Sequence, residues 1–350
     1  MRALSVDPLW PRAGDWPAPT REEAPDAVLL GIPAWRTSLS PTGAGETPAA
    51  VREALRRYSP TIMGPPPVDL NAVLRIADAG DVAEPDGREG EARVRAAVAE
   101  LASARLLIAL GGDNSATYAV AQGRRARGLV TLDAHFDLRD GESNGSPVRR
   151  LLAEGLDPRR VVQIGIADFA NSAAYARRAL DAGITVITLD EVRRRGIEAV
   201  VTDALRIASG GDSPHDAGAP DAGPGVARTD ADAEEYLDTP GRTVRGGDAG
   251  TDIAAPAPTQ ARPAEPGGIH LDIDVDVCDR SVAPGCPASV PGGLAAWELR
   301  ALVRGIARDP RVTSADIVEV DATADAADAR TVRLAALCVL ELLAGLADRP

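Results

Sequence analysis

Short apolar runs alternate with longer amphipathic ones along most of the chain. Residues 27–32 (AVLLGI), 74–77, 106–110, 129–132, 161–166, 184–189 and 312–320 are runs of strand length with the character of buried strands. Between and after them, apolar residues recur at three- and four-residue spacing over 93–104, 148–154, 172–181, 191–208, 297–307 and 329–346. Another helix should carry Val51, Ala54 and Leu55 behind Thr47 as its N-cap, and a further one should run from the turn at 111–115 through Val120. Strands alternating with helices predict right-handed crossovers and a mostly parallel sheet covered on both faces, a three-layer α/β/α fold. Sites in such sheets gather at the carboxyl ends of strands.

One stretch departs from the apolar rule. In residues 267–285, GGIHLDIDVDVCDRSVAPG, alternation to about Val277 puts His270, Asp272, Asp274 and Asp276 on one face. Leu271, Ile273, Val275 and Val277 fall on the other and call for burial. Unpaired buried carboxylates cost several kcal/mol each, at about the scale of other buried ions, so a divalent cation is expected beside them. A second cluster, Asp133-Ala134-His135-Phe136-Asp137, directly follows the strand at 129–132. Two such strand ends predict a two-metal site with ions about 3.5–4 Å apart, the charges of Asp133, Asp137, Asp274 and Asp276 balancing two divalent ions. Such ions lower the pKa of bound water from about 15.7 toward neutrality, which points to hydrolysis.

The alternation breaks at Ser209. Residues 209–266 are rich in Asp, Gly, Ala, Pro and Thr with Tyr236 as the one aromatic, and read as a disordered insertion within a single domain spanning 1–350. His215, inside it, reads as a solvated residue. Apolar residues make up 45% of the 350, enough for a sizeable core, but aromatics are only 3%, so that core must be built from Ala, Val, Leu and Ile. The net charge is −14 and every basic residue other than histidine is arginine, with no basic run. This argues against nucleic-acid and anionic-membrane partners. Three cysteines without CxxC spacing and no long apolar run predict a soluble, cytoplasmic protein.

The turn GGDNS, the cluster DAHFD, the strand DVDVCDRSVAPG and the later IVEVD together resemble the ureohydrolase family of arginases, agmatinases and formimidoylglutamases. GIP at Ile32, ADAGD at Ala77 and VQIGIAD at Val162 fit as well. The resemblance implies an α/β/α fold, a binuclear manganese centre, a homo-oligomer and a small amidine or guanidine substrate. It makes Asp133, His135, Asp137, Asp274 and Asp276 metal ligands, Asp279 a supporting residue behind them and His270 a neighbour. Glu319 would grip the planar cation of the substrate, and Asp137 would steer the nucleophile and pass its proton.

Three positions depart from the commonest family pattern. Asn114 stands where the family has a histidine ligand; its amide oxygen is neutral, so one of the two ions is expected to be weakly held, with Asp272 as a compensating charge. Asn144 stands where arginases carry a histidine. Arg139 matches the DAHxDxR pattern of formimidoylglutamases, whose arginine binds a substrate carboxylate; alternatively it pairs with Asp140 or Glu142. With Asn144, Gly145 and Ser146 reading carboxylates beside Arg139, the expected reaction is N-formimidoyl-L-glutamate plus water to L-glutamate and formamide. The alternatives are an agmatinase or guanidino-acid hydrolase releasing urea, and a non-catalytic member that binds a ligand or builds an oligomer.

Overall fold

The side chains of β1 (Ala27–Ile32) alternate between two cores. Ala27 and Leu29 pack into one, Val28, Leu30 and Ile32 into the other. A strand buried on both faces has no use for polar alternation, which is why it reads as a continuous apolar run. The computed structural model describes residues 7, 9–20, 22–211 and 267–350.

After β1 come α1 (Thr47–Leu55), a two-stranded antiparallel ribbon of β2 (Thr61–Ile62) and β3 (Val68–Asp69), and the short α2 (Leu70–Val73). The chain then alternates through β4 (Ile76–Asp81), α3 (Gly87–Glu100), β5 (Leu106–Gly111), α4 (Ser115–Gly123), β6 (Gly128–Leu132), α5 (Pro147–Ala153), β7 (Val161–Ile166), α6 (Ala173–Ala182) and β8 (Thr185–Thr188). Two helices follow, α7 (Leu189–Arg195) and α8 (Ile197–Ala208). Beyond residue 266 lie β9 (Ile269–Asp274), α9 (Ala296–Ala307), β10 (Val312–Val318) and α10 (Arg330–Ala347). Eight strands form one sheet in the order β4-β1-β5-β10-β9-β6-β7-β8, and each pairing is parallel. Helices α1, α8, α9 and α10 pack on one face; α3 and α4, then α5 and α6, pack on the other. This is the expected three-layer α/β/α arrangement.

Several boundaries differ from the sequence reading for identifiable reasons. Thr47 is the first residue of α1 rather than its cap, and its hydroxyl donates to the Val320 carbonyl. The helix expected over 191–208 is two helices, because Gly196 at φ +79° ends α7. The strand expected to reach Val277 stops at Asp274. There the Asp274 carboxylate accepts the Asp276 N–H at 2.8 Å and tightens residues Val275–Val277 into a 3-10 turn. Asp276 therefore reaches the site from a turn, not by strand alternation. The expected disorder of 209–266, with His215 and Tyr236, bears mainly on residues 212–266, outside the described residues. Among the described residues no helix is long and apolar enough to cross a membrane.

Candidate metal centre and substrate pocket

Four adjacent strands, β5, β10, β9 and β6, bring polar residues together at their carboxyl ends. Asn114 caps α4 just past β5, Glu319 follows β10, Asp274 ends β9, and Asp133 to Asp137 follow β6. The turn after β5 needs Gly112, since an added Cβ would collide with the Ala34 carbonyl. Asp137 and Glu319 sit at φ +53° and +61°, a left-handed region that residues with a Cβ avoid at a cost of about 1–3 kcal/mol each. Such strain persists where the surroundings fix it. Gly112 accepts the Glu319 N–H at 2.8 Å, and the Asp137 carbonyl accepts the Arg149 N–H at 3.2 Å.

His135 Nδ1 lies 2.6 Å from Asp276 Oδ2, and Asp276 Oδ1 accepts the Ala134 N–H at 3.0 Å. Asp133 Oδ1 accepts the His135 N–H at 2.6 Å, while Asp133 Oδ2 is buried without a hydrogen-bond partner. Ligand atoms of Asp133, His135 and Asp276 all lie within 4.8 Å of one another. Asn114 Nδ2 donates to Asp137 Oδ2 at 2.6 Å and to Asp274 Oδ2 at 3.3 Å, tying the remaining two acids to the group. Carboxylate oxygens with one imidazole suit manganese, and an acid-rich cluster with an orphaned oxygen fits a cation.

The electrostatics agree. Burial, with Asp276 adding to it, pushes Asp133 up to about 7. Burial and then the Asp113 charge push Glu319 up to about 8. Burial and neighbouring acids hold Asp137 and Asp274 well above the usual carboxylate range. Burial opposes the shifts of the His135–Asp276 pair, yet their mutual attraction prevails, lowering Asp276 and raising His135 to about 11. Fully ionised, the acids would carry more negative charge than the one imidazolium balances, which is why all but Asp276 hold their protons more tightly than usual.

The structure places the other sequence candidates less uniformly. Asn144 Nδ2 donates to Glu319 Oε1 at 2.9 Å, and its Oδ1 accepts the Leu39 N–H at 3.0 Å, so its amide orients Glu319 and pins the loop at residues 37–39. Gly145 lets the Arg139 stem pass; a Cβ there would lie 2.7 Å from Arg139 Cδ. Ser146 is fully buried with its hydroxyl donated to the Ser143 carbonyl, so it shapes the loop instead of facing a substrate. Arg139 is exposed beside the acids, while Asp140 pairs with Arg178 at 3.0 Å and Glu142 with Arg88 at 2.8 Å. Asp279 lies apart from the cluster, stapling its own loop through Ser281 and Gly292. Asp272 lies in register with Asp316, and burial together with that neighbour's charge raises it well above the usual carboxylate range. His270 bonds Asp316 at 3.1 Å and Ser314 at 2.9 Å in the same buried row.

A cavity of about 240 Å³ joins His135, Asp137, Asp274 and Asp276 to Arg139, Asn144 and Gly145. Asn171, which the sequence reading passed over, also lines it. Its Oδ1 accepts the Phe136 N–H at 3.2 Å and its Nδ2 donates to the Ala134 carbonyl at 2.8 Å, bracketing His135. Its only sequence signal is its place just before Ser172, the cap of α6.

Comparison with known proteins agrees with this geometry. The formimidoylglutamase of Halobacterium salinarum is 31% identical over 344 residues, covering 94% of this chain and 91% of that one. The crystal structure of formimidoylglutamase from Bacillus subtilis superposes with a TM-score of 0.76 at 27% identity, over 100% of this chain and 96% of that one. The formiminoglutamase of Trypanosoma cruzi, solved with Mn2+, shares the fold at a TM-score of 0.73 and 23% identity, over 97% of this chain and 99% of that one. The arginase family model matches residues 25–215 and 249–345. With polar, mostly acidic side chains at four adjacent strand ends and a family match over most of its length, the chain belongs to the arginase family.

Proposed function

We propose that this protein is a manganese-dependent amidinohydrolase that converts N-formimidoyl-L-glutamate and water to L-glutamate and formamide. The observation that carries this reading is the Arg139 guanidinium, exposed beside the acid cluster while both neighbouring acids are paired elsewhere. A guanidinium fork suits a substrate carboxylate and repels the distal cation of agmatine.

Asp133, His135 and Asp276 would hold one manganese ion, with Asp137, Asp274 and, more weakly, Asn114 available to a second. Bound manganese supplies Lewis acidity and makes water nucleophilic near neutral pH. Glu319 has Oε1 occupied by the Asn114 N–H and Asn144 Nδ2, which leaves Oε2 for an amidinium N–H. Asp137, held at positive φ in the cluster, takes a proton from the attacking water and returns it to the departing amine. Arg139 reads the glutamate carboxylates, with its stem fixed against Gly145.

A guanidino acid presents the same carboxylate to Arg139 and the same planar cation to Glu319, so a urea-releasing reaction is the second reading. Assays with added manganese compare kcat/KM for formimidoylglutamate, agmatine and a guanidino acid. Formamide release from formimidoylglutamate should dominate; better turnover of agmatine would sink the proposal. Arg139→Met should raise KM roughly 10–150-fold with kcat little changed, the scale of one lost charge-assisted contact.

A further inference from the structure

A continuous chain of buried polar side chains lies beneath the acid cluster, on the sheet face covered by α4. Asn114 Oδ1 accepts the Thr117 hydroxyl at 2.6 Å, and the same hydroxyl lies 3.4 Å from Asp272 Oδ1. Asp272 stands between Thr131 of β6 and Asp316 of β10 in register, and Thr117, Thr131, Asp272 and Asp316 are all 0% exposed. Thr131 Oγ1, Asp272 Oδ2 and Asp316 Oδ1 are buried without a hydrogen-bond partner. Thr117 therefore has one proton and two acceptors, and the shorter contact wins.

That choice sets the Asn114 amide. With its oxygen held by Thr117, Asn114 points Nδ2 at Asp137 and Asp274, the orientation that two carboxylates favour. A cation held by those acids would reverse the preference, because an N–H would then be repelled and an oxygen attracted. Turning the amide over would strand Nδ2 in a buried site unless something accepts from it. The Thr117 hydroxyl can do so, provided its own proton goes elsewhere, and Asp272 Oδ1 is the acceptor in reach.

We infer that Thr117 is the positioning residue of the Asn114 side of the centre, with Asp272 as its reserve acceptor. Together they let Asn114 change from amide donor to oxygen ligand with every group still paired. The inference rests on the manganese reading above.

Removing the hydroxyl costs one hydrogen bond with the amide as seen and two with it turned over, so it disfavours the ligand orientation by about one bond. Manganese is titrated into the full chain, and binding is followed by loss of the free Mn2+ electron paramagnetic resonance signal. Thr117→Val should weaken the weaker class of site about tenfold, and Thr117→Ala should do the same should the valine chain fold poorly. Thr117→Ser should stay within about twofold of the parent. In an Asn114→Ala background Thr117→Val should add nothing, since the amide it positions is gone. Parent-like binding by Thr117→Val or Thr117→Ala, or a serine variant as weak as they are, overturns the inference. A parent chain that takes up no manganese overturns the metal reading itself, before any variant is made.

Discussion

The two faces of β9 obey opposite rules within six residues. Ile269, Leu271 and Ile273 enter the core shared with α9 and α10, where each gains by leaving water. His270, Asp272 and Asp274 are equally buried on the other face, where each must find a partner. The apolar face tolerates any filling of the right volume; the polar face is specified atom by atom, by Ser314, Asp316, Thr117 and Asn114. Stability should therefore sit mostly with the first face and chemistry with the second.

The sharpest way to break that division is at Asp137, which completes the polar side. Asp137→Asn keeps shape and removes the proton acceptor, so kcat should fall roughly 10²–10⁴-fold with the melting temperature little changed. A variant that unfolds instead would show that the acid is structural.

On the opposite face, Leu271→Ala should cost about 2–5 kcal/mol of unfolding free energy by denaturant titration. Manganese affinity and KM of the folded fraction should stay within error. A loss of metal affinity there would show the two faces to be coupled.

The smallest expected effect is a pH dependence of the metal-free fold. Asp133 near 7, Glu319 near 8 and the strongly raised Asp137, Asp272 and Asp274 all bind protons more tightly folded than unfolded. His135, raised to about 11, has the same sign. Groups raised on folding support the fold below their unfolded values and lose that support as pH climbs through the folded ones. With EDTA, the chain should melt several degrees lower at pH 8 than at pH 5, on a scale of about 2–4 °C per kcal/mol. Manganese should restore more at pH 8; an equal shift at both would mean the acids are not protonated in its absence.

Much of the architecture was legible because β1 and β7 are apolar runs that only a doubly covered strand explains. The acids at β6 and β9 were legible as a cluster for the same reason, as polar residues that burial must compensate. What stayed hidden depends on register and rotamer. That Asp272 would meet Asp316 follows from the pairing of β9 with β10, forty-odd residues apart in sequence, which periodicity does not encode. That Ser146 turns inward, or that Asn114 offers nitrogen rather than oxygen, is decided by single hydrogen bonds to Ser143 and Thr117. Asp276 was found in the right place by the wrong geometry, since a turn and not a strand delivers it.

The strand order also constrains how the molecule is made. β5 and β6 are consecutive strands of the chain, yet β10 and β9 lie between them. Until the last third of the polypeptide has been synthesised, the earlier strands form two separate half-sheets with facing, unpaired edges, an arrangement prone to wrong pairing and association. Asp133, His135 and Asp137 wait on one of those halves for Asp274 and Asp276. Closing the gap requires long-range parallel pairing, a slow step by topology. On the proposed ligand set, metal capture would be an event of late folding, and manganese bound to the closed sheet would favour completion.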